Sequence, residues 1–217
     1  MSGKTTNRSK ADDEVRLTRR TQGERRADAE RRLLESALEL LSEKGVAGST
    51  LSEVGERAGY SRGLVAHHYG NKENFLRAVA QHIRASYRAR MPQDSQPGLG
   101  RLLDNIRLFY SGKPGTFGAM QALLAEAIMN DGPLRKDMQV FTVEAIAFLA
   151  EQIRIGVQKG EIRPDVDPEA AATLILGQMR GIGAMSLLGG LSQDLLRRLG
   201  KEAHASIRLM LQAEITA

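Results

Sequence analysis

The chain has 217 residues, of which 41% are hydrophobic, enough to bury a core and too many for wholesale disorder. It contains no Cys, which excludes disulfides, Cys-ligated zinc, iron–sulfur clusters and thiol catalysis. Its formal net charge of +5 is unevenly placed: residues 1–90 hold 18 Lys/Arg against 12 Asp/Glu and residues 91–217 hold 13 against 14, so the basic end is the one suited to a polyanion.

Residues 1–22 are polar and carry Lys4, Arg8, Lys10, Arg16, Arg19 and Arg20, which predicts a disordered basic arm without the apolar core of a secretion signal. From Gly23 to Lys44, Leu33, Leu34, Ala37, Leu40 and Leu41 recur at helical spacing, and Gly45 supplies a stop. Thr50 and Glu53 form a Thr-x-x-Glu capping box for a second helix with Leu51, Val54 and Ala58 inside, ended by Gly59. Ser61 is the expected cap of a third short helix bearing Leu64 and Val65, and Asn71 that of a fourth with Phe75, Leu76, Val79 and Ile83 inside.

Pro92, Pro97, Gly98 and Gly100 interrupt the pattern, which places a domain boundary near residues 91–98 between a head (23–90) and a body (91–217). Beyond it the periodicity predicts helices over about 99–112, 117–130, 134–159, 168–188 and 192–215. No alternating strand pattern occurs, and aromatics are only 4% with no Trp, so Leu, Ile, Ala and Met must fill the core. The expected fold class is all-α. No stretch approaches the roughly 18 apolar residues of a membrane span, so no membrane partner and a cytoplasmic location are expected.

Two short helices joined through Gly59-Tyr60-Ser61 have the form of a helix-turn-helix, whose second helix can enter the DNA major groove. Its leading residues are Ser61, Arg62, Gly63 and Leu64, and Arg62 is suited to donate to guanine O6 and N7 together. Gly63 costs about 1 kcal/mol within a helix; close approach to DNA or tight packing on the second helix would each account for it. Lys72 stands in the first turn of the fourth helix, where a cation opposes the dipole unless a phosphate approaches. Thr50 can offer its hydroxyl to a phosphate at the second helix. Adjacent His67 and His68 do not face a common ligand on a helix, so no metal is expected.

The run from Thr50-Leu51-Ser52-Glu53-Val54 through Ala58-Gly59-Tyr60-Ser61-Arg62-Gly63-Leu64-Val65-Ala66-His67-His68-Tyr69-Gly70-Asn71-Lys72-Glu73-Asn74-Phe75-Leu76 resembles the TetR family of bacterial regulators. His68-Tyr69-Gly70-Asn71-Lys72-Glu73 is its most specific part, and the resemblance covers about residues 25–80. It implies a three-helix DNA-binding head on a helical body that dimerises and binds a small effector. The DNA contacts it implies are Thr50, Ser61, Arg62, Gly63, Ala66, His67, His68 and Lys72. Ala66 departs from the family, which commonly has Tyr there.

On the last two helices, Leu174, Ile175, Met179, Ile182 and Met185 form one stripe, with Gly177, Gly181 and Gly183 interspersed. Leu195, Leu196, Leu199, Ala203, Ile207, Met210 and Leu211 form another. The resemblance places these helices at a homodimer interface, with Leu174, Gly177, Gly181, Ile182, Leu199, Ala203 and Ile207 as candidates; packing within one subunit is the other use for such stripes. Phe109, Phe117, Met120, Met138, Phe141 and Phe148 are candidates to line an effector cavity, although Met and aromatics at helical spacing also serve as plain core. Few charges fall among them, so a mostly apolar effector is expected.

No Gly-rich phosphate loop, His-Glu-x-x-His or Gly-x-Ser-x-Gly occurs, which argues against an enzyme, and no cofactor is implied. The function read from the sequence is a DNA-binding transcriptional regulator: a repressor that a small-molecule effector releases from a palindromic double-stranded operator. A helical protein-interaction module with a basic arm is the alternative; it leaves the capped helix pair and Lys72 unexplained.

Overall fold

The computed structural model describes residues 21–111, 114–188 and 192–212, and all the regular structure among them is helical. The expected basic arm lies outside the described residues except for its last two. Those two belong to the first helix: Thr21 Oγ1 accepts from the Glu24 N–H at 3.2 Å while the Glu24 carboxylate accepts from the Thr21 N–H at 2.7 Å. This capping box starts α1 (Gln22–Lys44), which buries Leu33, Leu34, Ala37, Leu40 and Leu41 along one face.

The next helices are α2 (Leu51–Arg57), α3 (Leu64–Tyr69) and α4 (Lys72–Ala89). The Thr50–Glu53 box caps α2, and the Asn71 side chain accepts from the Asn74 N–H at 2.8 Å to start α4. Ser61 does not cap α3. That helix begins two residues later than expected, at Leu64, with Gly63 as an N-cap that offers no side chain. The Ser61 carbonyl instead accepts from the Leu64 N–H at 3.1 Å, a turn that precedes the helix proper.

The body follows as α5 (Leu99–Tyr110), α6 (Pro114–Met129), α7 (Pro133–Gln158), α8 (Pro168–Leu187) and α9 (Gln193–Leu211). Pro at the first position of α6, α7 and α8 removes an N–H that would have no partner there. The first turn of α5 is satisfied from far away. Gly98 N–H donates to Gln152 Oε1 at 3.2 Å and Leu99 N–H to the Glu161 carboxylate at 2.9 Å, which fastens α5 to α7 and the loop after it.

Packing does not stop at the Pro92–Gly98 break. One core joins Leu33, Leu40, Val54, Val65, Phe75 and Val79 of the first four helices to Ala119, Leu123 and Ala127 of α6 and Leu134 and Met138 of α7. Where α1 crosses α6, Gly118 lies so close to Ser42 that a side chain would overlap the serine hydroxyl. A second core of Leu102, Ile106, Ile153, Ile162, Ala172, Ile175, Ile207 and Leu211 holds α5, α7, α8 and α9 together.

Candidate functional site

The helix-turn-helix is held by two small details and two buried valines. Gly59 takes φ +79°, a left-handed conformation that L side chains avoid, and this turns the chain out of α2. Tyr60 N–H then donates back to the Gly55 carbonyl at 2.8 Å. Gly55 has no room for a side chain, because a Cβ would lie 2.7 Å from the Ser61 carbonyl oxygen. Val54 and Val65 are buried between the two helices. The close helix contact expected of Gly63 is therefore made by Gly55. A Cβ at Gly63 would meet nothing, and Ser61, Arg62, Gly63, Ala66 and His67 are all exposed.

The charged groups on this surface are engaged with the protein. Arg62, with 77% of its side chain exposed, pairs with Glu56. Lys72 Nζ donates to the Val46 carbonyl at 2.6 Å, bracing the start of α4 against the loop between α1 and α2. That carbonyl accounts for a cation in the first turn of a helix, where the dipole alone disfavours it. The Thr50 hydroxyl accepts from the Glu53 N–H at 3.2 Å and donates to the Glu53 carboxylate at 3.0 Å. Lys44 also reaches that carboxylate at 2.9 Å. The lysine and the Thr50 donors together hold the Glu53 carboxyl down at about 2. His68 is half-buried, its ring centroid 6.2 Å from that of Tyr69, which sits 5.0 Å from Phe75. This aromatic chain ties α3 to α4.

A cavity of about 500 Å³ opens between α4 and the body, within the size range of small-molecule sites. Phe109, Phe117, Met120, Phe141 and Phe148 line it. Met138 does not; it is 3% exposed and packs in the core shared by head and body. The expectation of few charges is corrected: Arg84, Arg88, Arg90, Arg101 and Arg180 also line the cavity, with Glu144 as the one carboxylate among the described residues. These arginines escaped the sequence reading because only the packing of distant segments brings the exposed Arg88 and Arg90 and the half-buried Arg84, Arg101 and Arg180 to one cavity. Arg84 pairs with Glu144 and lies 5.8 Å from the Phe141 ring centre.

The residues expected at a subunit interface divide. Leu174 (66% exposed), Gly177 and Gly181 share an open face of α8 that continues through Met185 to Leu188. Side chains at Gly177 and Gly181 would meet nothing within the subunit, whereas one at Gly183 would collide with the Phe117 ring. Ile182 and Leu199 are half-buried. Ala203 and Ile207 are each 2% exposed and face inward, so they belong to the core of one subunit. On α9 the large apolar side chain that faces outward among the described residues is Leu209, two positions further on.

Among the described residues no group of three or more His, Cys, Asp or Glu is placed to hold a metal ion, and no helix is long and apolar enough to cross a membrane.

Residues 33–79 match the family described as bacterial regulatory proteins, tetR family, and residues 119–199 match the tetracyclin repressor-like C-terminal domain. The chain is 31% identical over 177 residues to the HTH-type transcriptional regulator CymR of Pseudomonas putida, covering 78% of this chain and 84% of that one. A transcriptional regulator from Saccharomonospora viridis solved in complex with choline superposes with a TM-score of 0.74 at 19% identity, covering 87% of this chain and all of the other. The regulator FadR of Bacillus subtilis in complex with stearoyl-CoA gives 0.65 at 20% identity over 81% and 96%. The helix-turn-helix, the helical body behind it and this relationship over most of the chain together make it a transcription regulator of the tetR family.

Proposed function

We propose that this regulator is a repressor that binds a palindromic operator as a homodimer and leaves it when a small molecule fills the cavity. The observation that carries this reading is α4. Its first residue, Lys72, follows the end of α3 at Tyr69 after two residues, and its second half contributes Ile83, Arg84 and Tyr87 to the cavity wall. From Lys72 to Tyr87 is about 22 Å of unbroken helix, at about 1.5 Å per residue. Ion pairs at Arg77–Asp137 (2.6 Å) and Arg84–Glu144 couple this rod to α7, the helix that also presents Phe141 and Phe148. A ligand that displaces α7 moves both heads of a dimer relative to each other, and half-sites about 34–36 Å apart no longer match.

Two proteins of the same fold are described in complex with small molecules, choline in one and stearoyl-CoA in the other, which supports a ligand role for the body. On the DNA side, Ser61, Arg62, Gly63, Ala66 and His67 meet base edges or the adjacent backbone, with Arg62 the guanine reader. Thr50, His68 and Lys72 hold phosphates on either side. Lys72 keeps two N–H donors beyond the one given to Val46, so it can hold a phosphate without releasing the loop. The interface between protomers uses Leu174, Gly177, Gly181, Ile182 and Leu199, extended by Met185, Leu188 and Leu209.

The test is selection of genomic fragments by the purified protein, followed by footprinting. A two-fold symmetric protected site whose occupancy falls when a cavity ligand is added supports the reading. Asymmetric or sequence-independent protection overturns it.

A further inference from the structure

We propose that the cavity takes an anionic amphiphile, a molecule with a carboxylate or similar acid on an apolar body, and that Arg180 holds the acid. This rests on reading the cavity as the effector site and names the chemistry of its ligand.

Among the described residues five arginines and a single carboxylate line the cavity, and the arginines are not equivalent. Arg84 and Arg88 share Glu144. Arg101 spends its fork on the Ser95 carbonyl, at 3.1 and 2.5 Å. Arg90 reaches the carbonyl and hydroxyl of Ser111, both at 3.4 Å. Arg180 is half-buried on α8, where α6, α7 and α8 meet, and pairs with no carboxylate among the described residues. Its one side-chain partner there is the Thr142 hydroxyl, at 2.9 Å.

Thr142 gives its own proton to the Met138 carbonyl at 2.8 Å, so it meets Arg180 as an acceptor and orients the guanidinium without neutralising it. Four of the five N–H donors of the fork are left over. A cation withdrawn from water without a counter-charge is costly, and burial alone pulls the Arg180 guanidinium below its ordinary value. An incoming acid removes that cost and accepts two parallel hydrogen bonds. The rest of the wall fits an apolar body: Phe109 and Phe117 pack edge to face with centroids 5.1 Å apart, beside Phe148 and Met179. The same arginines repel a cation, so quaternary ammonium compounds are poor ligands here.

The experiment uses three matched head groups on several bodies: phenylalkanoates and alkanoates of graded length, the corresponding amides, and the corresponding trimethylammonium compounds. Binding to the full chain is measured by calorimetry, and release from the selected operator by fluorescence anisotropy. The expected result is that carboxylates bind, and that amides and ammonium compounds on the same bodies bind at least tenfold more weakly. Arg180→Gln should weaken the carboxylates about ten- to a hundredfold while leaving the amides unchanged, and Arg180→Lys should fall between. Circular dichroism of each variant must match the parent chain.

Amides or ammonium compounds binding as well as carboxylates, or carboxylates indifferent to Arg180→Gln, overturn the acid assignment and leave the effector site standing. Failure of every head group on every body overturns the cavity as an effector site, and this inference with it. Carboxylate binding that never disturbs the operator complex upholds the ligand chemistry and overturns its regulatory use.

Discussion

Arg62, the side chain placed to read a base, is held in the DNA-free protein by Glu56, six residues before it on the preceding helix. Both partners lie on the open surface, where such pairs contribute only about 0–1 kcal/mol, so DNA can take Arg62 away at little cost. Removing the restraint should therefore help. Glu56→Gln is expected to raise operator affinity about two- to fivefold, by freeing Arg62 and removing a charge that repels phosphate. Arg62→Ala should instead cost about 1–3 kcal/mol and relax preference at one base pair. Anisotropy titrations on the operator and its single-base variants separate the two; preference left intact by Arg62→Ala would remove this arginine from the groove.

Lys72 has a double duty that its variants should expose. Lys72→Ala is expected to weaken operator and random duplex alike, and to make the salt dependence shallower by about one unit for each phosphate that the lysine neutralises. Because the Val46 carbonyl loses its donor, the same change should also cost about 1–2 kcal/mol of folding stability. Urea unfolding read beside DNA titrations checks both. A variant that loses stability alone would make Lys72 a brace and nothing more.

Exposure divides the last two helices into an outer and an inner face, and paired variants test the division. Leu174→Glu with Met185→Glu places charges on the open face of α8, and should give a monomer by sedimentation that keeps its helical circular dichroism and loses operator binding. Ile207→Glu buries a charge inside one subunit and should lose helical signal itself. A dimer that survives the double change moves the interface elsewhere.

Glu53 predicts how the start of the helix-turn-helix responds to acid. A carboxyl held lower in the folded chain than in the unfolded one stabilises the fold fully above its ordinary value of 4.5, and that contribution is lost as the pH falls through about 2. Protection factors of α2 amides against hydrogen exchange should fall across this window ahead of those in α7. Glu53→Gln should flatten the α2 response, and an unchanged profile would show that the cap does not govern the helix.

The helix pattern was legible because its signals are local. Thr50–Glu53 and Asn71 announce their helices from four residues of sequence, and Gly59 marks the turn between α2 and α3. Thr21-Gln22-Gly23-Glu24 carries the same signal as Thr50–Glu53, and reading it as a cap would have started α1 at Gln22. Ser61 misled because a capping residue type before an apolar pair does not fix where the first helical residue falls. What the sequence could not show depends on distant pairs. Ile207 and Leu209 look alike as apolar positions on one helix, and only the packing of α9 against α5 turns one inward and the other out. Arg180 reads as a solvated charge until α6 and α7 enclose it, and the sequence alone does not distinguish Gly63, which is open, from Gly55, which makes the close helix contact.

The Gly118–Ser42 crossing has a consequence for how the molecule is dismantled. Cutting the chain after residue 90 would strip Ala119, Leu123, Ala127, Leu134 and Met138 from the core that the first four helices share with the body, and uncover the face of α1 that carries Leu38 and Ser42. The DNA-reading end is thus not a cassette to be excised or grafted onto another carrier. Heat should melt it together with the helices behind it in one transition, and whatever stabilises the cavity should raise the melting temperature of the recognition helix too.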